Sequence, residues 1–545
     1  MTDKKVVVVG NGMVGSRFVE DLVARDPDER FQITVLGAEE YAPYNRVLLS
    51  EVVAGNVGVA SLTLPSTNDS PRARIMRGTT AIALDRRGRR VITADGGVHP
   101  YDYVVLAAGS KARIPATRGL SPIGGLPAGV HALRTLDDAR EIVAATVNAR
   151  RAVVVGGGVL GLEAACGLAK RGLRVTLLHG SSNVMGRQLG PEAAAVVARA
   201  VAGLDIDLRT DVVTEQFVLR DGRVTAVRFA AEQIDTDLVV LACGTIPETV
   251  IASSAGLSVA EGVVVNRNLA SPDDPCVFAI GDCAQPSEGS SGLIAQGWEQ
   301  SRRLAAQLTR SRAPESPTLI RDTPRRPSMA LRIAMEHLSS AQLDARGTDV
   351  VRLKAAGLDV VTMGARPDAA NSAQRVVRLS DPAAGRFLEV VVEDGRLTGA
   401  VCVGSGQVGA DLVVTYTRGT PVPTDPAYLL LRSLGGTPAT ANDPTAMPED
   451  TAVCRCNGVT KRDIVTGWRD GAATLDQIAS VTRATTGCGG CKEAVAGLID
   501  WMAKSDPDRS SSPIGGAGGE NSVTAPKHAV TTAKPLMHSA ETRRG

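Results

Sequence analysis

KVVVVGNGMVGSRFVEDLVARDPDERFQITVL, residues 5–36, decides the fold. Lys5–Val9 is a continuous apolar run, the pattern of a parallel strand buried on both faces. Gly10-Asn11-Gly12-Met13-Val14-Gly15 follows, then a helical pattern over Ser16–Arg25 and a second strand over Phe31–Leu36. A GxGxxG motif placed between a strand and a helix is specific in a way that a lone one is not. The first glycine permits the tight turn, the second lets the backbone approach a pyrophosphate, and the third lets the helix pack on the strand. The helix N-terminus offers its N–H groups and the positive end of its dipole to the phosphates. An acid is expected to meet the ribose after the second strand. Glu39, in VLGAEE, is the candidate, one or two residues later than the usual position.

The pattern returns at Arg151. Val153–Val155 reads as a strand, Gly156-Gly157-Gly158-Val159-Leu160-Gly161 is a second GxGxxG, Leu162–Arg171 continues as a helix and Val175–Leu178 is the next strand. Two complete strand–GxGxxG–helix–strand units, 146 residues apart from Gly10 to Gly156, predict two dinucleotide sites in an α/β protein. After the second unit an acid would favour NADH and an arginine cluster NADPH. LLHGSSNVMGR puts His179 where an acid often sits, with no arginine directly after it, so NADH is favoured. Asp237–Leu241 followed by Ala242-Cys243-Gly244-Thr245, and Tyr101–Leu106 followed by Ala107-Ala108-Gly109-Ser110, are buried strands with small-residue exits.

Four of the nine cysteines gather near the end, in VCRCNG and TGCGGC. They form Cys454-x-Cys456 and Cys488-x-x-Cys491, with 31 residues between the pairs. Two thiolate pairs brought together by folding supply four soft ligands, which select zinc, copper(I) or an iron–sulfur cluster. Gly487, Gly489 and Gly490 let backbone N–H groups approach sulfur, which an anionic cluster would use. A zinc ribbon would favour C-x-x-C at both ends, and a C-x-C pair is unusual there. A [2Fe–2S] cluster is therefore the reading, with structural zinc and unliganded thiols as the alternatives. Cys166, Cys243, Cys276, Cys283 and Cys402 stand at no ligand spacing and read as core packing.

Composition bounds the rest. The 545 residues are too many for one core, and 43% hydrophobic content can bury several. Net charge is +2 and aromatics are 3%, with no basic stripe interleaved with stacking rings, so no nucleic-acid partner is expected. No apolar run approaches the roughly 18–20 residues that span a bilayer, so no membrane partner is expected either. MTDKKVVVVGNG enters a strand at once and leaves no room for a signal peptide. The expected setting is the cytoplasm, with reduced thiols.

Further segments carry a family resemblance. Tyr44-Asn45-Arg46 resembles the segment that crosses the flavin in FAD-dependent reductases of the ferredoxin-reductase and nitrite-reductase type, where Arg46 would touch the pyrophosphate or isoalloxazine. Ala108-Gly109 resembles the close-approach segment of two-dinucleotide flavoproteins, with Ala108 in place of threonine. Val277-Phe278-Ala279-Ile280-Gly281-Asp282 resembles the second FAD fingerprint, in which the aspartate bonds the ribityl chain. The helix over Ala295–Leu308, with Trp298 and Glu299, resembles the one whose N-terminal end points at the flavin. Glu163 resembles a family glutamate near the nicotinamide–flavin contact, with a solvent-facing helix charge as the alternative. The chain departs from some relatives in having no redox cysteine near Arg46, and Glu51 where some ferredoxin reductases carry lysine. The cysteine spacing resembles the bacterioferritin-associated-ferredoxin type of [2Fe–2S] domain. The resemblance assigns FAD to the first dinucleotide site and NAD(P)H to the second.

The expected organisation is a two-dinucleotide-binding flavoprotein with two Rossmann-like domains. An FAD part covers 1–115 and 247–310, with an NAD(P)H part at 116–246. A linker or insertion covers 311–347, including a helix-like Met329–Arg346. A small α+β domain covers 348–434, and such domains often close over the flavin or make a homodimer. A hinge at 435–450 leads to a small helical [2Fe–2S] domain at 451–504, its cysteines at helix starts, and 505–545 reads as a disordered tail.

A nicotinamide gives two electrons at once, a flavin accepts two and releases one at a time, and a [2Fe–2S] cluster carries one. The wiring is thus NAD(P)H to FAD to cluster to a separate acceptor, with no side chain required as catalytic acid or base. The whole order resembles the N-terminal part of the NAD(P)H nitrite reductase large subunit and the electron-transfer subunit of assimilatory nitrate reductase. After the cluster segment the chain runs out before a sirohaem domain, so the favoured acceptor is the nitrate reductase catalytic subunit, with a nitrite reductase component second. A ferredoxin or oxygenase reductase, and a flavin/iron–sulfur redox sensor that is no enzyme, are the other readings.

Overall fold

A computed structural model describes residues 4–64, 71–121, 125–310, 347–355, 357–368, 371–431, 447–454, 457, 459–486 and 491–505. The 311–346 part of the insertion, the helix-like pattern at 329–346, most of the hinge, Cys456, Gly487, Cys488, Gly489, Gly490 and the tail beyond 505 lie outside the described residues.

The first glycine unit builds a six-stranded sheet. Lys4–Val9 lies at its centre, parallel to Phe31–Leu36 on one side and to Tyr103–Leu106 on the other. Ala73–Met76 extends the sheet beyond Phe31–Leu36, and Asp274–Ala279 and Ala270–Ser271 extend it beyond Tyr103–Leu106. Strands from far apart in sequence, Lys4–Val9 and Asp274–Ala279, thus share one sheet, and the second FAD fingerprint leaves it at the same end as the first glycine loop. The helices Met13–Ala24 and Ile294–Arg310 pack against each other on one face.

The second unit repeats the plan. Arg151–Val155 is central and parallel to both Arg174–Leu178 and Leu238–Leu241, with Val159–Lys170 as the crossing helix. Thr245–Pro247 pairs with Ser110–Ala112 where the chain crosses between the two units.

The small α+β unit is an antiparallel sheet of five strands, ordered Val351–Ala355, Leu358–Gly364, Arg396–Val403, Arg386–Glu393 and Arg375–Asp381. Asp394 and Gly395 both take positive φ, as the two-residue hairpin between Arg386–Glu393 and Arg396–Val403 requires. One face is covered by the helix Gly406–Arg418, through Val408, Leu412 and Tyr416. From the other face Leu353, Val360 and Val403 join the core of the second nucleotide unit.

The last unit has its own core. A short ribbon of Ala452–Cys454 and Val459–Thr460 packs with the helices Lys461–Arg469, Leu475–Thr482 and Lys492–Ser505 through Ile464, Trp468, Ile478, Val495 and Leu498. Two capping boxes, at Thr460 with Asp463 and Thr474 with Gln477, fix where the first two helices begin.

Candidate functional site

The two glycine loops have the same geometry. Gly10 and Gly156 have φ near +113° and +117°, and a Cβ on either would strike a carbonyl oxygen, of Ala107 and Ala242 respectively. Only glycine serves there. Gly15 and Gly161 press their helices onto the carbonyls of Gly10 and Gly156. Gly12 and Gly158 instead face open space at the helix starts. That is the room a pyrophosphate needs, so the residues present fit a dinucleotide at both loops. Met13 and Val14 start the first helix, and Val159 and Leu160 the second.

Around the first loop a polar network converges. The Asp282 carboxylate accepts from Ser110 Oγ at 2.8 Å and from Arg134 Nη2 at 2.7 Å. Gly281, with φ +73°, sits against the Val14 side chain, and its N–H donates to Gln300 Oε1 at 2.7 Å. Trp298 is fully buried and donates to Met13 O at 3.0 Å, locking the fingerprint helix to the glycine loop. Gly109 and Gly244 take positive φ and face open space, so the small-residue exits leave room for a ligand. Ala108 lies between Ala107 and Gly109 on that exit, packed against the core of the first unit.

Glu39 and Arg46 are brought together and pair with each other. Glu39 also accepts from Tyr44 OH at 2.7 Å, Arg46 lies over the Tyr44 ring, and Arg46 Nη1 donates to Arg134 O at 3.3 Å. His179 folds back onto the second glycine loop. Its Nδ1 accepts from Gly157 N at 3.1 Å and its Nε2 faces Asn183 O at 3.1 Å, which assigns the neutral Nε2–H tautomer. Both ring nitrogens are thereby occupied within the chain.

Glu163 is not a solvent-facing helix charge, because it is 3% exposed. It accepts from Ser50 Oγ at 2.6 Å, Lys354 N at 2.9 Å and Lys354 Nζ at 3.1 Å. The lysine comes from the small sheet, and Ser50 precedes Glu51 on the helix Leu49–Val53.

Of the four proposed ligands, Cys454 and Cys491 are described. Both are buried in one apolar core, and Asn457 Nδ2 lies 3.7 Å from Cys454 Sγ. Buried soft donors with an N–H aimed at sulfur fit an anionic cluster. Cys491 opens the helix Lys492–Ser505, as expected of a helix-start cysteine, and Val495 N bonds back to its carbonyl at 2.9 Å. Cys454 differs. It ends a strand, because its backbone pairs with Val459 in the ribbon. Burial pushes the Cys166 and Cys283 thiols up to about 11 and Cys402 to about 12, which suits inert core residues. Cys243 and Cys276 are half-buried.

The cluster unit rests on the first nucleotide unit. Arg17 Nη1 donates to Asn457 Oδ1 at 3.2 Å, Asn45 Nδ2 donates to Thr486 O at 2.6 Å, and Glu20 pairs with Arg483. Arg17, Glu20, Arg134, Lys354 and Arg483 were not singled out by the sequence reading. Only Arg134 had a local signal, since it precedes the readable capping box Thr135-x-x-Asp138. The others face partners up to 463 residues away, Glu20 and Arg483 being 463 apart and Arg17 and Asn457 440 apart.

Comparisons with known proteins agree with this geometry. Residues 4–305 match the pyridine nucleotide-disulphide oxidoreductase family, and residues 452–501 match the BFD-like [2Fe-2S] binding domain. A nitrite reductase [NAD(P)H] of Bacillus subtilis is 31% identical over 94% of this chain and 59% of its own length. The large subunit of that enzyme from Klebsiella oxytoca is 32% identical over 92% of this chain and 49% of its own. The assimilatory nitrate reductase electron transfer subunit of B. subtilis is 28% identical over 93% and 61%. This chain thus spans about half to three-fifths of the length of these relatives. Among solved structures, the covalent putidaredoxin reductase–putidaredoxin complex superposes with a TM-score of 0.64 at 24% identity, over 80% of this chain and 100% of that one. The cofactors of the present chain are FAD, NAD(P)H and a [2Fe–2S] cluster. With a two-dinucleotide core and a cluster-binding unit, the chain belongs to the pyridine nucleotide-disulphide oxidoreductase family.

Proposed function

We propose that this chain draws electrons from NAD(P)H, NADH being favoured, and passes them through FAD and the cluster to a separate redox polypeptide, the catalytic subunit of an assimilatory nitrate reductase. When bound, the nicotinamide supplies a hydride, the flavin splits the electron pair, and the cluster carries single electrons. The chain's own residues bind and orient. The Gly10–Gly15 loop and the Arg134–Asp282–Ser110 network hold one dinucleotide. The Gly156–Gly161 loop, braced by His179, holds the other. Glu39 and Arg46, paired to each other, position the segment at Tyr44 beside the first. Cys454, Cys456, Cys488 and Cys491 hold the cluster. The setting is the cytoplasm.

The observation that carries this reading is the contact of the cluster unit with the first nucleotide unit. Asn45, in the segment that resembles the flavin-crossing one, is bonded to Thr486, two residues before Cys488. A relay needs its last two centres adjacent, and a sensor with an independent cluster would not. The nitrate reductase subunit among the relatives supports the acceptor. The higher identity to nitrite reductases favours a second reading, in which the acceptor is a nitrite reductase component.

The test is anaerobic addition of NADH to the purified chain with visible and electron-paramagnetic-resonance spectra. Flavin bleaching with a rhombic reduced [2Fe–2S] signal is expected. Bleaching with no cluster signal, and zinc on metal analysis, would cut the relay at the cysteines.

A further inference from the structure

Asn457 is buried between the two units that the relay must join. Its Nδ2 lies 2.5 Å from Arg483 O, 3.1 Å from Thr486 Oγ1 and 3.7 Å from Cys454 Sγ. Its Oδ1 accepts from Arg17 Nη1 at 3.2 Å, and Arg17 Nη2 reaches its backbone oxygen at 3.5 Å. A guanidinium only donates, so the amide oxygen must face Arg17 and the amide nitrogen must face the sulfur. Arg17 stands on the helix that follows the first glycine loop, where Asp21 holds it from one turn away at 3.1 Å. The loop that brings Thr486 here turns through positive φ at Arg483 and Thr485, both unfavourable for side-chain-bearing residues. The surroundings therefore hold this junction in place against local backbone preference.

We propose that Asn457 is the positioning residue through which contact with the nucleotide unit sets the electron affinity of the cluster: Arg17 fixes and polarises the Asn457 amide, whose N–H stabilises the reduced, more negative cluster through Cys454 Sγ. The inference rests on the relay reading above and adds a control to it. Hydrogen bonds to ligand sulfurs raise a cluster's potential, and a donor whose carbonyl is itself bonded to a cation is a stronger donor. With the contact made, one electron from the FAD side is taken up more readily. With the contact broken, Asn457 loses its anchor and the same electron leaves more readily to the one-electron acceptor protein. The two electrons of one NAD(P)H require two such cycles, and the proton released goes to water.

The test is an anaerobic redox titration of the full chain followed by electron paramagnetic resonance, with iron content and NADH bleaching of the flavin measured alongside. Arg17→Ala should make cluster reduction about three- to tenfold less favourable, the upper end being about 59 mV for one electron. Iron content and flavin bleaching should stay at parental values. Asn457→Asp, which replaces the donor by an acceptor of the same shape, should lower the potential further, and adding Arg17→Ala to it should change nothing more. If Asn457→Asp fails to hold iron, Arg17→Ala decides alone. An unchanged midpoint and unchanged g values in Arg17→Ala would overturn the proposal, and so would loss of iron in that variant, which would make Arg17 merely structural. A parental chain with no [2Fe–2S] signal would instead refute the relay itself.

Discussion

Replacing Glu20 by glutamine should stabilise the junction between the two units above neutral pH, although it deletes one half of an ion pair. Burial pushes the Glu20 carboxyl up from 4.5 to about 7, against the pull of Arg483 and Arg17 and with a smaller push from Asp21. Burial also pulls Arg483 below its ordinary value in spite of Glu20. Both partners give the same answer, that desolvation outweighs the attraction. The Glu20 side chain is 19% exposed, so solvent screens it little. A carboxyl raised in the folded state contributes stability that is fully present below 4.5 and is lost as the pH rises through about 7. At 1.36 kcal/mol per pH unit over that interval, the loss is about 3 kcal/mol. Glu20→Gln keeps the shape of the protonated acid and does not titrate. Amide hydrogen exchange of the helices Met13–Ala24 and Leu475–Thr482, corrected for intrinsic rates, reads the effect locally. Between pH 5 and 8 the parent should lose protection on the order of a hundredfold and the variant should not. Faster exchange in the variant at pH 8, with the parent flat across the range, would show that the pair is net stabilising and refute the reasoning.

Three further outcomes follow from the site. Gly158→Val fills the open space at the second helix start and should raise the KM for NADH at least about tenfold at unchanged FAD content; release of FAD instead would mean that the two nucleotide sites are reversed. Lys354→Met removes the ammonium from buried Glu163 but leaves Ser50 Oγ and the Lys354 N–H in place. It should cost about 1–3 kcal/mol, read as an earlier thermal release of FAD, and an unchanged release temperature would make the pair energetically neutral. Cys488→Ser should abolish electron transfer to the partner protein while NADH still bleaches the flavin, and surviving partner turnover would refute the relay.

The glycine loops and the cysteine pairs were legible because their requirements are local. A positive φ against a carbonyl at Gly10 or Gly156 is answered within the same strand–turn–helix unit, and C-x-C and C-x-x-C state their own spacing. Glu163 was legible as a position but not as an environment. Its burial depends on a lysine 191 residues later that arrives only when the small sheet packs. His179 was read from its place after a strand, where an acid or arginine would meet a ribose. In the structure Gly157 N–H donates to its Nδ1 and its Nε2 faces Asn183 O, so the ring also braces the second glycine loop. Arg17 could not be read at all. On sequence it is one more exposed-face charge paired with Asp21 at i+4, and its second partner, Asn457, belongs to another unit.

That second partnership also bears on how the two units are joined. Hydrogen bonds from Arg17 to Asn457 and from Asn45 to Thr486, and the Glu20–Arg483 pair, join the units. Burial of both side chains works against the ion pair. Within one chain the tether supplies an effective concentration of about millimolar order, so weak polar contacts are enough to populate the docked arrangement. The proposed relay would also require a weak contact, since a cluster unit held too firmly on the flavin side could not present its electron to a second protein. On that reading a fused cluster domain needs frequent docking without long residence, and polar contacts opposed by desolvation, as at Glu20 and Arg483, suit that need.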